Sequence, residues 1–260
     1  MIYFLLKNFF FVARKSVIKN TYNKFKFILD YIKKKKINFN FIIFVKFFLE
    51  SEVLKKKHYS LNLKKFTFRH EYNFSEDWFS INIPIWEFII KKEFGNDPKL
   101  NYLEIGTFEG RSAIYICENY KTIDVVCVDP FDKYESIESS AKKQEMKKIY
   151  EKFKSNIKIF DDRISHHKIT SSDFFKKNDC LFDIIYIDGS HYHLDVLNDF
   201  KNSLKFLKKG GIIIFDDFLW NYYEKINENP IHGILPTLSL SKNLQIISAS
   251  NQLIIKKIHS

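Results

Sequence analysis

The chain has 260 residues, 45% of them hydrophobic and 28% charged, and a formal net charge of +11. This length and composition are typical of a soluble globular protein and exclude a disordered or collagen-like chain. Residues 1–65 contain sixteen lysines and arginines against three acidic residues, a net charge of +13, whereas residues 66–260 carry −2. The basic charge therefore belongs to an N-terminal extension and says little about what the rest of the chain binds.

Two basic amphipathic helices are the first elements that the sequence predicts. Over residues 16–36, apolar side chains recur at steps of four and three, which is the spacing of one helix face. The members of this stripe are Ile18, Tyr22, Phe25, Leu29 and Ile32. A second helix is predicted over residues 41–54, before the basic run at residues 55–57. Helices of this kind pack on the main domain, lie on an anionic membrane surface, or contact a polyanion.

Neither a membrane-spanning segment nor nucleic-acid binding is expected. The apolar stretch at residues 1–15 is interrupted by Lys7 and Asn8, and about 18 uninterrupted apolar residues are needed to cross a bilayer. The same stretch lacks the basic start and the small-residue cleavage site of a signal peptide. No arginine-aromatic motif points to RNA. Peripheral membrane contact through residues 1–65 stays open as a hypothesis.

The cysteines indicate a reducing compartment. The chain has three, Cys117, Cys127 and Cys180, which lie in or beside apolar runs without the spacing of a metal site. An odd number of this kind does not predict a disulfide framework. We expect buried free thiols and a cytoplasmic location.

From about residue 74 onward, apolar runs alternate with helical patterns. Strands are predicted over residues 100–105, 122–128, 164–170, 182–188 and 211–217, and helices over about 111–119, 135–154, 172–177 and 192–208. Alternating strands and helices are typical of an α/β fold, in which helices cover both faces of a mainly parallel sheet. The sequence thus divides into a helical extension, residues 1–65, and an α/β domain, residues 66–260.

Three local signals set predicted ends of elements. Asn82 can cap a helix that runs to about Phe94, with a proline in its first turn. Gly210-Gly211 is predicted to stop the helix before it. Residues 244–258 are predicted to form a hairpin with Asn251 near its turn.

A carboxylate lies at or beside the end of every predicted strand. These residues are Glu104, Asp129, Asp173, Asp188, Asp216 and Asp217. One acidic residue after a strand usually forms a turn. Ligands of such sheets, however, bind beyond the carboxyl ends of the strands, and clustered carboxylates repel one another unless they bind cations or hydrogen-bond donors. The pattern predicts a functional site at this edge of the sheet.

Two motifs carry a resemblance to a known family. LEIGTFEGRSA, residues 103–113, resembles the first motif of class I S-adenosylmethionine-dependent methyltransferases. YIDGSHYHLDVLNDF followed by LKKGGIIIFDDF resembles the group that contains macrocin-type sugar O-methyltransferases and relatives of cephalosporin hydroxylase. Catechol O-methyltransferase is a more distant relation. The resemblance covers residues 74–258 and implies a Rossmann-like, seven-stranded sheet whose final strand is antiparallel.

The resemblance implies a site for S-adenosylmethionine. Gly106 and Gly110 would let the backbone approach the methionine portion of the cofactor, and Glu104 would help to position that portion. The chain departs from the fuller glycine motif at Phe108, which stands where the family has its middle glycine.

The remaining cofactor contacts are implied after the second and third strands. Asp129 would accept hydrogen bonds from the ribose hydroxyls, since a carboxylate can accept two at once. Ser172 and Asp173 would face the adenine. The alternative is a Rossmann-like module that no longer binds the cofactor.

The resemblance also implies a metal site and a base. In metal-dependent relatives the ends of the fourth and fifth strands supply oxygen ligands to Mg²⁺, here Asp188, Asp216 and Asp217. His191 stands three residues beyond Asp188 and could accept a hydroxyl proton near neutral pH. The alternatives are that the aspartates only form turns and that His191 only begins the next helix.

These features together predict an S-adenosylmethionine-dependent, Mg²⁺-assisted O-methyltransferase. Its partner would be a small molecule with a hydroxyl group, a sugar or another metabolite. One alternative is a hydroxylase-like relative that uses the same fold and metal site for different chemistry. The other is a non-catalytic scaffold that binds a membrane through its basic extension.

Overall fold

The computed structural model describes residues 15–60, 68–131 and 140–258, and the statements below concern these ranges. The predictions made for residues 1–14 lie outside them. So do the first residues of the helix predicted to begin at residue 135, and the side chain of Ile18 in the predicted apolar stripe.

The described residues contain eight α-helices and seven strands. The helices are α1 (Lys15–Lys35), α2 (Phe41–Ser60), α3 (Ile83–Phe94), α4 (Arg111–Asn119), α5 (Ser140–Ile157), α6 (Ser171–Lys177), α7 (His193–Phe206) and α8 (Pro230–Leu240). The strands are β1 (Leu100–Ile105), β2 (Ile123–Val128), β3 (Ile164–His167), β4 (Phe182–Ile187), β5 (Leu207–Phe215), β6 (Leu244–Ala249) and β7 (Leu253–Lys257).

All seven strands form one sheet in the order β3-β2-β1-β4-β5-β7-β6. The first five strands run parallel to one another, whereas β7 is antiparallel to both β5 and β6. The predicted α/β fold with a C-terminal antiparallel hairpin is confirmed. This order places the carboxyl ends of β1, β2, β4 and β5 side by side at one edge.

The core has two layers, one on each face of the sheet. Side chains alternate across a strand, so in β4 Ile184 and Tyr186 join one layer while Ile185 and Ile187 join the other. Trp86 of α3 lies in the first layer. Such strands read as continuous apolar runs because both faces are buried.

The extension helices pack on the second layer. Ile28, Tyr31 and Phe44 are 0% exposed, and the ring of Phe44 lies 5.9 Å from that of Phe218. The predicted stripe is confirmed in part: Phe25 and Ile32 are partly buried against this layer, whereas Tyr22 is 64% exposed and the fully buried side chains are those of Ile28 and Tyr31. None of the described helices has the length and apolarity needed to cross a membrane.

Several predicted element ends are corrected by tertiary contacts. Helix α2 runs on to Ser60, so the basic run at residues 55–57 lies inside it. Gly210-Gly211 is not a helix stop but part of β5, since α7 ends at Phe206 and Leu207 already pairs with β4. Strand β3 ends at His167, because the chain then turns to begin α6.

Three further predictions differ in detail. Asn82 precedes α3 as predicted but makes no capping hydrogen bond, because its own backbone is helical. Helix α8 was not predicted, although Asn229-Pro230 at its start is a recognisable signal. Cys180 is exposed rather than buried, whereas Cys117 and Cys127 are buried; all three are free.

Candidate active site

The turn between β1 and α4 lets another segment of backbone approach it closely. Gly106 has φ +81°, and an added Cβ would lie 2.1 Å from the carbonyl oxygen of Asp188. Only glycine fits there, on both conformational and steric grounds. The turn after β1 therefore touches the turn after β4, which brings the two halves of the predicted site together. Gly110, with φ +83°, directly precedes α4 and lies against the ring of Phe153.

The residue that replaces the middle glycine is strained. Phe108 has φ +48°, a left-handed conformation that costs a residue with a Cβ about 1–2 kcal/mol. Its ring packs against that of Trp78, with centroids 5.2 Å apart. The chain thus keeps the backbone path of a glycine motif without the glycine.

Glu104 is fully enclosed beneath this turn. It is 0% exposed, and its carboxylate accepts hydrogen bonds from the hydroxyls of Tyr102 (2.6 Å), Thr107 (2.8 Å) and Ser112 (2.8 Å). Burial raises its pKa to about 7, although these hydrogen bonds act in the opposite direction. The geometry joins β1, the turn and α4, so any effect of Glu104 on a cofactor passes through the turn.

Asp129 clamps the same turn from the end of β2. Its carboxylate accepts hydrogen bonds from the backbone N–H groups of Thr107 (3.0 Å), Phe108 (3.1 Å) and Phe131 (2.8 Å). It is 6% exposed, and burial raises its pKa against those hydrogen bonds. Its contact with ribose hydroxyls stays a prediction.

Ser172 and Asp173 lie at the start of α6, where the structure gives them local partners. The hydroxyl of Thr170 accepts from the N–H of Asp173 (3.1 Å) and lies 3.0 Å from its carboxylate. Ser172 accepts a hydrogen bond from Asn198 at 2.8 Å. Their role at the adenine stays a prediction.

The ends of β4 and β5 bring together Asp188, His191, Asp216 and Asp217, called here the acidic rim. A cleft is lined by these residues together with Gly189, Ser190, Val196 and Pro230. The N–H of Asp216 donates to the carbonyl of Ile187 at 2.9 Å, so the rim continues the pairing of the two strands.

One tyrosine hydroxyl serves two carboxylates of the rim. Tyr186 donates to Asp188 at 2.8 Å and is also in contact with Asp216. A hydroxyl has a single hydrogen, so one of the two carboxylates lacks a donor from it. Burial, followed by the charge of Asp216, raises the pKa of Asp188 well above its usual range. Burial and the charge of Asp217 likewise raise the pKa of Asp216.

Gln252 adds a donor to Asp216. Its side-chain nitrogen lies 3.1 Å from the carboxylate, and its side-chain oxygen accepts from the indole of Trp86 at 2.9 Å. An indole N–H can only donate, so Trp86 fixes the orientation of the amide and keeps the NH₂ group on Asp216.

His191 is paired with Asp217 rather than free. Its Nε2 lies 2.6 Å from the carboxylate, and the two side chains are 35% and 43% exposed. The ring also lies beside that of Trp220, with centroids 4.8 Å apart and planes tilted by 33°. A carboxylate that holds one ring nitrogen fixes the tautomer and leaves the other nitrogen to accept a proton. Asp217 itself has φ +45°.

The acidic rim contains oxygen ligands of the kind that Mg²⁺ prefers, but they are not arranged as a metal centre. Within the described ranges, no group of three or more His, Cys, Asp and Glu side chains has a metal-binding arrangement. Asp188 and Asp216 flank the same hydroxyl, whereas Asp217 faces His191. The carboxylates of Asp188 and Asp216 are hard oxygen donors of the type that divalent cations prefer.

Sequence reasoning missed Tyr186 and Gln252 as members of the site. Tyr186 stands two residues before Asp188, and residues at this spacing lie on one face of a strand. Its contact with Asp188 could therefore have been predicted. Gln252 carries no local signal, because only the insertion of β7 beside β5 brings its turn to the rim.

Comparison with known proteins shows what this region is similar to. Residues 103–218 match the family described as a methyltransferase domain. Over this region the chain is similar to methyltransferase domains. The resemblance seen in the sequence is confirmed at this level, while membership of the macrocin-type group stays a prediction. An uncharacterized protein of Acanthamoeba polyphaga mimivirus is 36% identical over 124 residues, 46% of this chain. The match spans about half (52%) of that protein's length.

Solved methyltransferases share the fold of the domain. The O-methyltransferase from Bacillus cereus in complex with SAH is 17% identical, with a TM-score of 0.50 over 79% of this chain and 88% of its own. TomG from Streptomyces achromogenes, in complex with SAM, is 12% identical, with a TM-score of 0.51 over 79% of this chain and 87% of its own. MycE, from the mycinamycin biosynthetic pathway, is 15% identical, with a TM-score of 0.50 over 80% of this chain and 54% of its own.

Proposed function

We propose that the protein is an S-adenosylmethionine-dependent O-methyltransferase. The observation that carries the proposal is the contact between the two turns: Gly106 lies against the backbone of Asp188 with no room for a side chain. The turn expected to hold the methyl donor thus adjoins the acidic rim, where a histidine–carboxylate pair can accept a proton. A methyltransferase needs mainly to align its two reactants and to activate the acceptor.

When bound, S-adenosylmethionine supplies a methyl group on a positively charged sulfur. His191 would accept the proton of the acceptor hydroxyl, and transfer of the methyl group to that oxygen would leave the electron pair of the broken bond on sulfur. Asp217 holds the ring of His191 at 2.6 Å and stabilises the imidazolium that results. Trp220 packs against one side of the His191 ring.

Asp188 and Asp216 are the residues that would hold Mg²⁺. Both carboxylates have raised pKa values and share one tyrosine hydroxyl, so a cation between them would stabilise their charged forms. Bound Mg²⁺ would lower the pKa of an acceptor hydroxyl. The structure of MycE contains Mg, SAH and mycinamycin VI, which supports a metal on this fold. In this proposal Asp217 serves His191, so its predicted role as a ligand becomes secondary.

The acceptor is a sugar or another small metabolite with a hydroxyl group. Aromatic rings suited to a ring-shaped acceptor border the rim: Trp220 packs against His191, and Tyr222, 80% exposed, contacts Trp220. A cytoplasmic location, suggested by the free thiols, and peripheral membrane contact through residues 1–65 are kept as proposals. The buried apolar face of α1 and α2 favours packing over membrane contact.

Transfer of a deuterated methyl group tests this function. The protein would be incubated with trideuteromethyl S-adenosylmethionine and a panel of sugars and other hydroxylated metabolites, and products would be followed by mass spectrometry. Labelled product and S-adenosylhomocysteine should form together, and His191→Ala should slow the transfer by ~10²–10⁴-fold. His70→Ala, at an exposed histidine, is the control. A hydroxylated but unlabelled product would instead identify the hydroxylase-like alternative.

A further inference from the structure

A surface segment ahead of α3 is fastened to the β1–α4 turn. This segment, residues 73–78, is called here the strap. The backbone N–H of Ser75 donates to the carboxylate of Glu109 at 2.5 Å, and the hydroxyl of Ser75 donates to its other oxygen at 2.6 Å. The ammonium group of Lys152 donates to the same carboxylate at 3.0 Å. Glu109 is 1% exposed, so a buried carboxylate of the glycine motif is satisfied chiefly by holding the strap.

Two neighbours of Glu109 in the motif hold the strap as well. The guanidinium group of Arg111 donates from Nε to the carbonyl oxygen of Glu76 at 3.1 Å. On the other side of the motif, the ring of Phe108 packs against that of Trp78, with centroids 5.2 Å apart. Three residues of one short motif therefore contact the same segment.

The strap ends in an exposed tryptophan beside the turn assigned to the methyl donor. Trp78 is 68% exposed, although so large an aromatic side chain stabilises a fold most when it is buried. Phe108, against which its ring packs, donates its backbone N–H to Asp129 at 3.1 Å. The same turn contains Gly106, which lies against the backbone of Asp188. Trp78 is thus held at the edge of this turn while most of its ring stays accessible to a ligand.

We propose that Trp78 forms a wall of the methyl-donor site and contacts the bound donor, and that Glu109 is a positioning residue that holds the strap for this contact. The inference rests on the proposed function, because it takes the β1–α4 turn as the methyl-donor site. A ring that is already fixed in place loses little conformational freedom when a ligand covers it. The strap therefore adds a preorganised apolar surface to a site otherwise built from strand ends.

The alternative is that the strap only covers the start of α4 and that Trp78 is a surface residue without a ligand. Both accounts predict that loss of the Glu109 contacts destabilises the fold, so unfolding does not separate them. Affinity for S-adenosylhomocysteine does separate them, because only a contact with the donor links that affinity to the indole ring.

The first experiment compares binding of S-adenosylhomocysteine to variants of the full chain by titration calorimetry. Trp78→Ala should bind about three- to tenfold more weakly than the wild type, and Trp78→Phe, which keeps an aromatic face, should recover most of the affinity. Phe88→Ala is the matched control, since Phe88 is an aromatic residue of α3 that is 51% exposed. It should bind like the wild type.

A double-mutant cycle tests the positioning role of Glu109. Glu109→Gln keeps the shape of the side chain but removes its charge, and it should weaken binding of S-adenosylhomocysteine in the wild-type background. In the Trp78→Ala background the same change should add little, because the ring that Glu109 positions is gone. An equal loss in both backgrounds would overturn the positioning role.

Acrylamide quenching of tryptophan fluorescence reads the contact without a change at the site. S-adenosylhomocysteine should protect the fluorescence of the wild type from acrylamide, and the part of this protection that is lost in Trp78→Phe belongs to Trp78. If the wild type binds the ligand but Trp78→Ala binds it equally well, or if Trp78 gains no protection, this proposal is overturned and the proposed function stands. A wild type that binds no S-adenosylhomocysteine overturns both.

Discussion

The residues of the acidic rim form two separate hydrogen-bonded groups. Asp188 and Asp216 share the hydroxyl of Tyr186, while Asp217 holds His191. The sequence predicts that these residues meet, since they end adjacent strands of a parallel sheet. It does not predict which side chains pair, because one-residue steps at a strand end direct neighbouring carboxylates to different partners.

Phe108 offers a test of backbone strain that is independent of function. In ordinary conformations glycine is less stable than alanine by about 0.5–1 kcal/mol. At φ +48° the order should reverse, because only alanine carries the left-handed penalty of about 1–2 kcal/mol. Phe108→Gly should therefore have a higher free energy of unfolding than Phe108→Ala. Both variants lose the ring contact with Trp78, so urea unfolding of the pair isolates the backbone. A more stable alanine variant would show that the turn is unstrained.

Glu104 makes the free energy of unfolding depend on pH. Burial raises its pKa from 4.5 to about 7, so the folded state keeps a proton that the unfolded state has lost. The stabilisation from this proton is present below pH 4.5 and is lost as the pH rises through about 7. Relative to Glu104→Gln, which does not titrate, the wild type should lose up to about 3 kcal/mol over this interval. Urea unfolding at a series of pH values measures the difference, and a constant difference would contradict it.

At the scale of elements, the β1–α4 turn was predictable because its constraints are local. The strand, the glycines and the helix start are consecutive in LEIGTFEGRSA, and β1 and α4 have the predicted bounds. The start of β5 was not predictable, because residues 207–211 suit a helix end locally and become a strand by pairing with β4. Pairing partners of this kind are distant in sequence.

A comparison of Gly106 with Gly95 separates the effect of a close backbone contact from the effect of backbone conformation. Both have positive φ, +81° and +95°, but an added Cβ meets Asp188 only at Gly106, and nothing lies within 4 Å at Gly95. Alanine at either position carries conformational strain. Gly106→Ala should cost about 2 kcal/mol more in unfolding free energy, because the turns after β1 and β4 must separate. Thermal and urea unfolding of the two variants check this, and equal losses would remove the steric argument.

At the scale of the whole molecule, the extension and the α/β domain share one core. Ile28 and Phe44 of the extension lie in the same layer as Ile213 and Phe215 of β5. The sequence predicted the basic helices and left packing and membrane contact open, since amphipathic faces serve both. The rotation of the buried face from Tyr22 to its neighbours could not be predicted, because it depends on the surface of the sheet that the helices meet.

Binding of S-adenosylhomocysteine to the full chain, measured by titration calorimetry, tests the methyl-donor site without knowledge of the acceptor. We expect saturable binding with one ligand per chain. Gly95→Ala and Asp217→Asn should keep this binding, since neither changes the β1–α4 turn. Gly106→Ala should lose it while remaining folded by circular dichroism. A folded wild-type protein that binds no S-adenosylhomocysteine, or a Gly106→Ala variant that binds it equally well, would contradict the assignment of this turn as the methyl-donor site.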